Sequence, residues 1–158
     1  MNRFIPVLVA ASLALAPAAA FAGPSEQAFL SKLPGIWKGT GILTGGETGS
    51  VNCTLTMRQR SDGISFSAKC DVSELGPQNF SGIISYNDAE KRYEAKSNSG
   101  DVTVGTKSGN GVVFSGEIKG VAKGKTVMTI TTSRIVVDTT ARRPGGDADI
   151  KSHIELKR

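Results

Sequence analysis

The side chains of this sequence best suited to nucleophilic or metal-ligand chemistry are two cysteines and one histidine. One histidine is too few for a metal site built from two or three imidazoles of the same chain. Cys53 and Cys70 could act as nucleophiles in their thiolate form, or they could bond to each other if the fold brings them together. The elements that position the two cysteines decide between these roles.

Cys53 and Cys70 lie in two consecutive segments, near 50–60 and 63–73, in which apolar and polar residues alternate. A period of two predicts β-strands that each have one dry and one wet face. A loop over residues 60–63 then makes the two strands a hairpin, with Gly63 free to adopt positive φ.

This loop fixes a register in which the two cysteines face each other. It pairs Gln59 with Ile64, Met57 with Phe66, Leu55 with Ala68 and Cys53 with Cys70. A two-residue turn at Asp62-Gly63 would instead place the cysteines diagonally, still within a small adjustment of bonding distance. The hairpin therefore predicts a Cys53–Cys70 disulfide, which leaves no thiol nucleophile.

Two further stretches resemble ligand motifs without meeting their requirements. The segment 120–126 has Gly124-Lys125-Thr126, but Lys119 stands where a phosphate-binding loop needs its first glycine, and no helical pattern follows. Asp147 and Asp149 offer only two carboxylates, too few for calcium. We expect no metal site and no cofactor, and because no acid, base and nucleophile come together, the sequence predicts a protein that is not an enzyme.

The rest of the chain repeats the hairpin pattern. Turn residues at intervals of about 8 to 12 are typical of an antiparallel sandwich or barrel. The predicted strands lie near 36–44, 50–60, 63–73, 78–86, 91–97, 101–107, 111–119, 125–132, 134–140 and 148–157. Around Ser133 the chain either turns or continues as one long strand with a bulge. Short connections favour an all-β, up-and-down antiparallel barrel of about ten strands, because closure removes the exposed edges.

The N-terminal region has two further features. Residues 1–22 combine Arg3, an apolar run and Ala20-Phe21-Ala22, the form of a cleaved signal peptide. A short helix capped by Ser25 is predicted next, before the first strand. We expect residues 23–158 to form one domain, free in the periplasm or outside the cell, where a disulfide is permitted, and not inserted in a membrane.

The charge pattern argues against nucleic acid as a partner. Without Arg3, 18 basic and 14 acidic side chains remain. The basic residues are scattered singly along polar strand faces, whereas a nucleic-acid site needs a dense basic stripe with aromatic residues for stacking.

Strand parity also predicts which side chains face the barrel interior. The inward set includes Val102 and Val104, and it contains small residues such as Gly39, Gly41 and Ala68. These small residues either let the strands coil tightly around a filled core or leave a cavity for a ligand.

The segment 33–41 contains the pattern G-x-W-x-G-x-G, formed around Trp37 at the start of the first strand. This opening resembles that of the calycin barrels, which include the lipocalins, the fatty-acid-binding proteins and the ten-stranded nitrobindin-like group. The resemblance implies that Trp37 closes one barrel end and that Gly39 and Gly41 let the strand bend. The layout is also similar to that of a group of small secreted alphaproteobacterial proteins without an assigned activity.

The nitrobindin-like group holds haem through a histidine of its final strand, and His153 lies in the last predicted strand here. Parity places His153 on the same face as Lys151, Glu155 and Lys157, which is the polar face. A histidine on the outer face cannot bind a haem iron inside the barrel, so we do not expect a haem.

Two functions are compatible with these features. The first is a binding protein for a small apolar or amphipathic ligand, with the larger inward residues as candidate lining: Trp37, Leu55, Phe66, Phe80, Tyr86, Tyr93 and Phe114. The alternative is an interaction module of the cell envelope, such as a protease inhibitor or an accessory subunit. A deep internal pocket favours the ligand, whereas an exposed apolar patch favours a protein partner.

Overall fold

The structure is a computed structural model that describes residues 23–45, 48–73, 76–118, 123–142, 144–146 and 148–158. The proposed signal peptide, residues 1–22, lies outside the described residues. The elements are α1 (Pro24–Leu30), β1 (Gly35–Thr44), β2 (Gly49–Arg60), β3 (Gly63–Val72), β4 (Gly76–Asn87), β5 (Arg92–Ser97), β6 (Val102–Ser108), β7 (Gly111–Ile118), β8 (Lys123–Ile130), β9 (Arg134–Arg142) and β10 (Ile150–Lys157). The described helix is too short to cross a membrane.

The ten strands form a closed antiparallel barrel in which each strand pairs with its neighbours in sequence and β1 pairs with β10. This confirms the predicted up-and-down barrel. Between β8 and β9 the chain makes a tight turn. A hydrogen bond of 2.9 Å from the backbone N–H of Thr131 to the carbonyl of Arg134 closes this turn. The region around Ser133 therefore separates two strands.

The β2–β3 hairpin has the predicted register. Arg60 pairs with Gly63 across a turn at Ser61 and Asp62, and the pairing continues to Cys53 opposite Cys70. Gly63 has a φ of +142°, a conformation that favours glycine. The disulfide is present, with 4.1 Å between the two Cα atoms. The alternative turn at Asp62-Gly63 is wrong.

The helix begins two residues earlier than a Ser25 cap predicts, and its N-cap is Gly23 rather than Ser25. The carbonyl of Gly23 accepts the backbone N–H of Glu26 at 2.9 Å, so the first turn starts at Pro24, and proline is favoured at the first helical position. The Ser25 hydroxyl donates to the Glu26 carboxylate instead, at 2.7 Å.

The inward assignment of Val102 and Val104 is wrong, since both lie on the outer face and are 49% and 38% exposed. The register of β6 with its neighbours turns Gly105 inward, opposite Tyr93 and Phe114. A Cβ atom at Gly105 would lie 2.5 Å from the Phe114 ring, so only glycine leaves room for that ring. The space that the Phe114 ring needs thus decides which residues of β6 face the barrel interior.

Candidate functional site

One half of the barrel is filled and the other half is hollow. The filled half lies against α1, where Leu30, Leu33 and Trp37 are almost fully buried. The Trp37 indole N–H donates to the carbonyl of Leu33 at 3.0 Å, which satisfies its polar atom in the core. Trp37 therefore closes one barrel end, in the place that the calycin resemblance implies.

Aromatic rings complete this closed end. The ring of Tyr93 makes edge-to-face contacts with Phe29 of α1, at 5.8 Å between centroids, and with Tyr86, at 5.0 Å. Burial raises the pKa of Tyr93 to about 12, and the negative charge of nearby Glu26 acts in the same direction. Such rings fill space at the helix end and leave no room there for a ligand.

The hollow half holds an internal cavity of about 430 Å³. Its wall is one continuous arc of seven strands, which runs from β8 to β10 and, across the β1–β10 pairing, from β1 to β4. The lining consists of Leu43, Val51, Cys53, Leu55, Met57, Phe66, Ala68, Cys70, Val72, Gln78, Phe80, Ile84, Thr126, Met128, Ile135, Val137, Thr139, Ser152, Ile154 and Leu156. No described lining residue can ionise, because both cysteines are in the disulfide. The cavity is suited to an apolar molecule.

The cavity extends toward the barrel end that lies opposite α1. Leu43 near the end of β1, Val51 near the start of β2 and Val72 at the end of β3 all line it, and these positions are adjacent in the register. Phe80 lines the cavity and is 56% exposed, so its ring lies where the cavity meets solvent. A ligand would enter at this end.

Of the seven candidate lining residues, the structure brings three to the cavity, namely Leu55, Phe66 and Phe80. The other four pack in the closed half of the barrel, namely Trp37, Tyr86, Tyr93 and Phe114. Parity places a residue inside the barrel but does not give its height along the axis, so it could not separate the two groups. Ligand binding by Leu55, Phe66 and Phe80 stays a prediction.

Several cavity residues were absent from the sequence-based candidates. Two of the three methionines, Met57 and Met128, and the disulfide itself contribute sulfur atoms to the wall. Thr126, Thr139 and Ser152 contribute hydroxyls. A signal existed for the hollow region, because the small side chain of Ala68 leaves space in the wall. The inner-face glycines of β1 do not line the cavity. At Gly39 a Cβ atom would collide with the backbone carbonyl of Glu155, so this glycine lets β10 approach closely.

His153 lies on the outer face of the barrel. It is opposite Ile42 and Asp138 in the register, and its Nδ1 lies 2.6 Å from a carboxylate oxygen of Asp138. Ile42 is 60% exposed, which identifies this face as the solvent side. The imidazole therefore does not reach the cavity. Among the described residues, no group of three potential metal ligands occurs.

No protein-family model matches this chain, and no curated protein matches its sequence. Among solved structures, the S-type phycobiliprotein lyase CPES of Guillardia theta superposes with a TM-score of 0.60 at 15% identity, over 84% of this chain and 91% of that one. The M. tuberculosis protein Rv2717c gives a TM-score of 0.57 at 15% identity, over 85% of this chain and 97% of that one.

These likenesses correct one sequence-based expectation. The sequence-based prediction that the chain is not an enzyme is wrong. It rests on the fold and the residue types, but a protein with the same barrel fold is a lyase. At 15% identity the likeness shows the fold alone, and the lyase activity is a property of that protein. Together, the closed ten-stranded topology and these two superpositions show that the chain shares the barrel fold of both proteins.

Proposed function

We propose that this protein binds one small apolar or amphipathic molecule in the cavity lined by β1–β4 and β8–β10. The observation that carries the proposal is the cavity of about 430 Å³ with an almost wholly apolar lining. Binding pockets for small molecules usually measure about 300 to 1,000 Å³ and combine an apolar lining with a few polar groups. An apolar molecule that enters the cavity gains about 25 cal/mol for each Å² removed from water.

The volume limits the size of the ligand. A water molecule takes about 30 Å³ in the liquid, so the cavity matches on the order of 15 non-hydrogen atoms. A ten-carbon chain or a pair of fused or linked aromatic rings meets this limit. The open side at Phe80 permits a somewhat longer molecule to project into solvent.

The exposed apolar residues favour this proposal over a docking module for a protein partner. Ile36 and Ile42 are exposed on β1, whereas Val102 and Val104 are exposed on β6. In the closed ring of ten strands, β1 and β6 are five strands apart in either direction, on opposite sides of the barrel. Phe80, the remaining large apolar residue exposed in the described part of the chain, lies at the cavity opening. Among the described residues, the small patches on β1 and β6 do not make the contiguous apolar surface that a protein interface needs.

The experiment is a titration with N-phenyl-1-naphthylamine, an uncharged probe of suitable size whose fluorescence rises in apolar surroundings. We expect saturable binding of one probe per barrel, with energy transfer from the single tryptophan, Trp37. A fluorescence increase that stays linear with probe concentration, as for loose surface adsorption, would overturn the proposal.

We also propose that the protein acts after export, in the periplasm or outside the cell. The Cys53–Cys70 bond and the signal-like sequence of residues 1–22 support this location. Intact-mass analysis of the protein from its own cells tests it: loss of residues 1–22 together with an oxidised cysteine pair is the expected result. A full-length, reduced chain would overturn the proposal.

A further inference from the structure

The cavity wall formed by β8, β9 and β10 carries a row of hydroxyl groups. Thr126 is directly opposite Thr139, and Thr139 is directly opposite Ser152. Directly opposed residues of antiparallel strands point to the same face, with Cβ atoms about 4.5 to 5.5 Å apart. All three side chains line the cavity. They form a continuous polar line across an otherwise apolar wall, which we call the hydroxyl row.

The hydroxyl row has unused hydrogen-bonding capacity. The Oγ1 atoms of Thr126 and Thr139 lie 3.2 Å apart and share one hydrogen bond. Each hydroxyl can donate once and accept twice, so one of these threonines keeps its proton for another partner. No hydrogen bond joins the Ser152 hydroxyl to another described residue. The row can therefore both donate to a ligand group and accept from one.

The hydroxyl row lies one inward layer below the rim, and its three side chains are part-buried. The next inward-facing positions toward the rim are Gly124, Ala141 and Ile150, as their mutual pairing shows. On the other side of the row lie Met128, Val137 and Ile154, the next inward layer toward α1. Two residues along a strand span about 7 Å. A polar ligand group at the row is thus held between two layers of mainly apolar side chains.

No cation faces the row among the described residues. Lys125 and Lys151 both pair with Thr140, and all three point outward. The Arg142 guanidinium donates to the Asp149 carboxylate at 2.6 Å, so this pair is neutral as a whole. A carboxylate brought to the row would lose hydration without gaining a counter-ion, and this is unfavourable.

We infer that the hydroxyl row of Thr126, Thr139 and Ser152 selects an uncharged amphiphile, whose hydroxyl or carbonyl group hydrogen-bonds to the row while its apolar body fills the cavity. A fatty-acid anion of the same length is disfavoured. This inference rests on the proposed function and specifies its ligand class.

The test compares two ligands of equal chain length, 1-decanol and decanoate, as competitors of N-phenyl-1-naphthylamine. At about pH 8 the acid is fully ionised, since carboxylic acids titrate near 4. We expect decanol to displace the probe at a concentration at least about tenfold lower. Because decanol is also the more hydrophobic of the two, this preference must be traced to the row by substitution.

The variant Thr126→Val/Thr139→Val/Ser152→Ala removes the three hydroxyls and nearly keeps their shapes. The loss of one or two hydrogen bonds should weaken decanol binding about 5- to 20-fold. The probe affinity of the variant is measured separately as the reference for the competition, and far-UV circular dichroism with urea unfolding shows that the variant folds. The matched control is Thr140→Val on the outer face of β9, which should change neither value.

The outcomes separate this inference from the proposed function. If the probe binds but decanoate competes as well as decanol, the selectivity is overturned and the binding function stands. Unchanged decanol binding in the triple variant also overturns the role of the row. If neither the probe nor decanol binds the parent protein, the proposed function and this inference fall together.

Discussion

The guanidinium carbon of Arg158 lies 4.4 Å from the centroid of the Trp37 ring. Arg158 also donates a hydrogen bond to the carbonyl of Lys32, in the segment between α1 and β1. Arg158, which directly follows β10, thus covers the tryptophan that closes the barrel. The contact connects the end of β10, β1 and the segment after α1 at the end of the barrel opposite to the cavity.

Substitution of Arg158 by alanine should destabilise the barrel by about 1 kcal/mol, the usual range for a cation–π contact that is partly shielded from water. Urea unfolding measures this as a lower midpoint with an unchanged slope. Arg158→Lys keeps the charge but lacks the planar guanidinium, so its midpoint should lie between those of Arg158→Ala and the parent. Equal midpoints for Arg158→Ala and the parent would show that the stack contributes nothing.

Alkaline pH should destabilise the protein through Tyr93, which is 2% exposed and has its pKa raised to about 12 by burial. Below about pH 10 the phenol is protonated in both the folded and the unfolded state. As pH rises from about 10 to 12, the unfolded chain loses this proton while the folded barrel keeps it. The free energy of unfolding should therefore fall, by on the order of 2 kcal/mol.

The measurement is urea unfolding between about pH 9 and pH 11.5, with Tyr93→Phe as the matched control. Ionisation of lysines affects both proteins alike, so the difference between their pH profiles isolates Tyr93. An identical decline in the two proteins would contradict the prediction.

Most of the fold could be predicted because alternation and turn residues are local signals. The register from Met57–Phe66 to Cys53–Cys70 follows from one turn at Gly63, and each later hairpin adds its own turn. The prediction failed in β6, where Gly105 makes room for the Phe114 ring. Such a contact between side chains of different strands has no counterpart in the alternation of a single strand.

The cavity could be predicted less well than the barrel. Residue size and strand parity predict a lining of large aromatic residues, yet Tyr93 and Phe114 fill the closed half with α1. The hollow lies instead beside small residues such as Ala68 and next to side chains of medium size. The alignment of Thr126, Thr139 and Ser152 depends on the register of three strands, which no single segment of sequence contains.

Loss of the disulfide should lower stability without changing the fold. The bond closes a loop with a sequence separation of 17. The chain-entropy description assigns about 3 kcal/mol to such a loop, and partial pre-ordering of the hairpin reduces the gain to about 1 to 3 kcal/mol. Urea unfolding of Cys53→Ala/Cys70→Ala measures the difference in unfolding free energy.

The parent protein after reduction serves as the control for the cysteine variant, and both should have similar stability. Thiol labelling without reductant tests the premise directly. Complete labelling of both cysteines in the oxidised, folded protein would contradict the bond.

Filling the cavity should abolish ligand binding while leaving the barrel intact. Ala68 lines the cavity between Leu55 on β2 and Phe80 on β4, its direct partners in the register. In Ala68→Phe the added ring occupies space that the ligand needs, so the affinity for N-phenyl-1-naphthylamine should fall more than about tenfold, or 1.4 kcal/mol. The ring enters a void rather than a filled core, so the overpacking penalty of about 1 to 3 kcal/mol should not arise.

The matched control is Ser67→Phe, which places the same ring on the exposed outer face of β3 and should bind the probe like the parent. Fluorescence titration gives both affinities and urea unfolding gives both stabilities; an Ala68→Phe barrel that binds the probe unchanged would show that the probe lies outside this cavity.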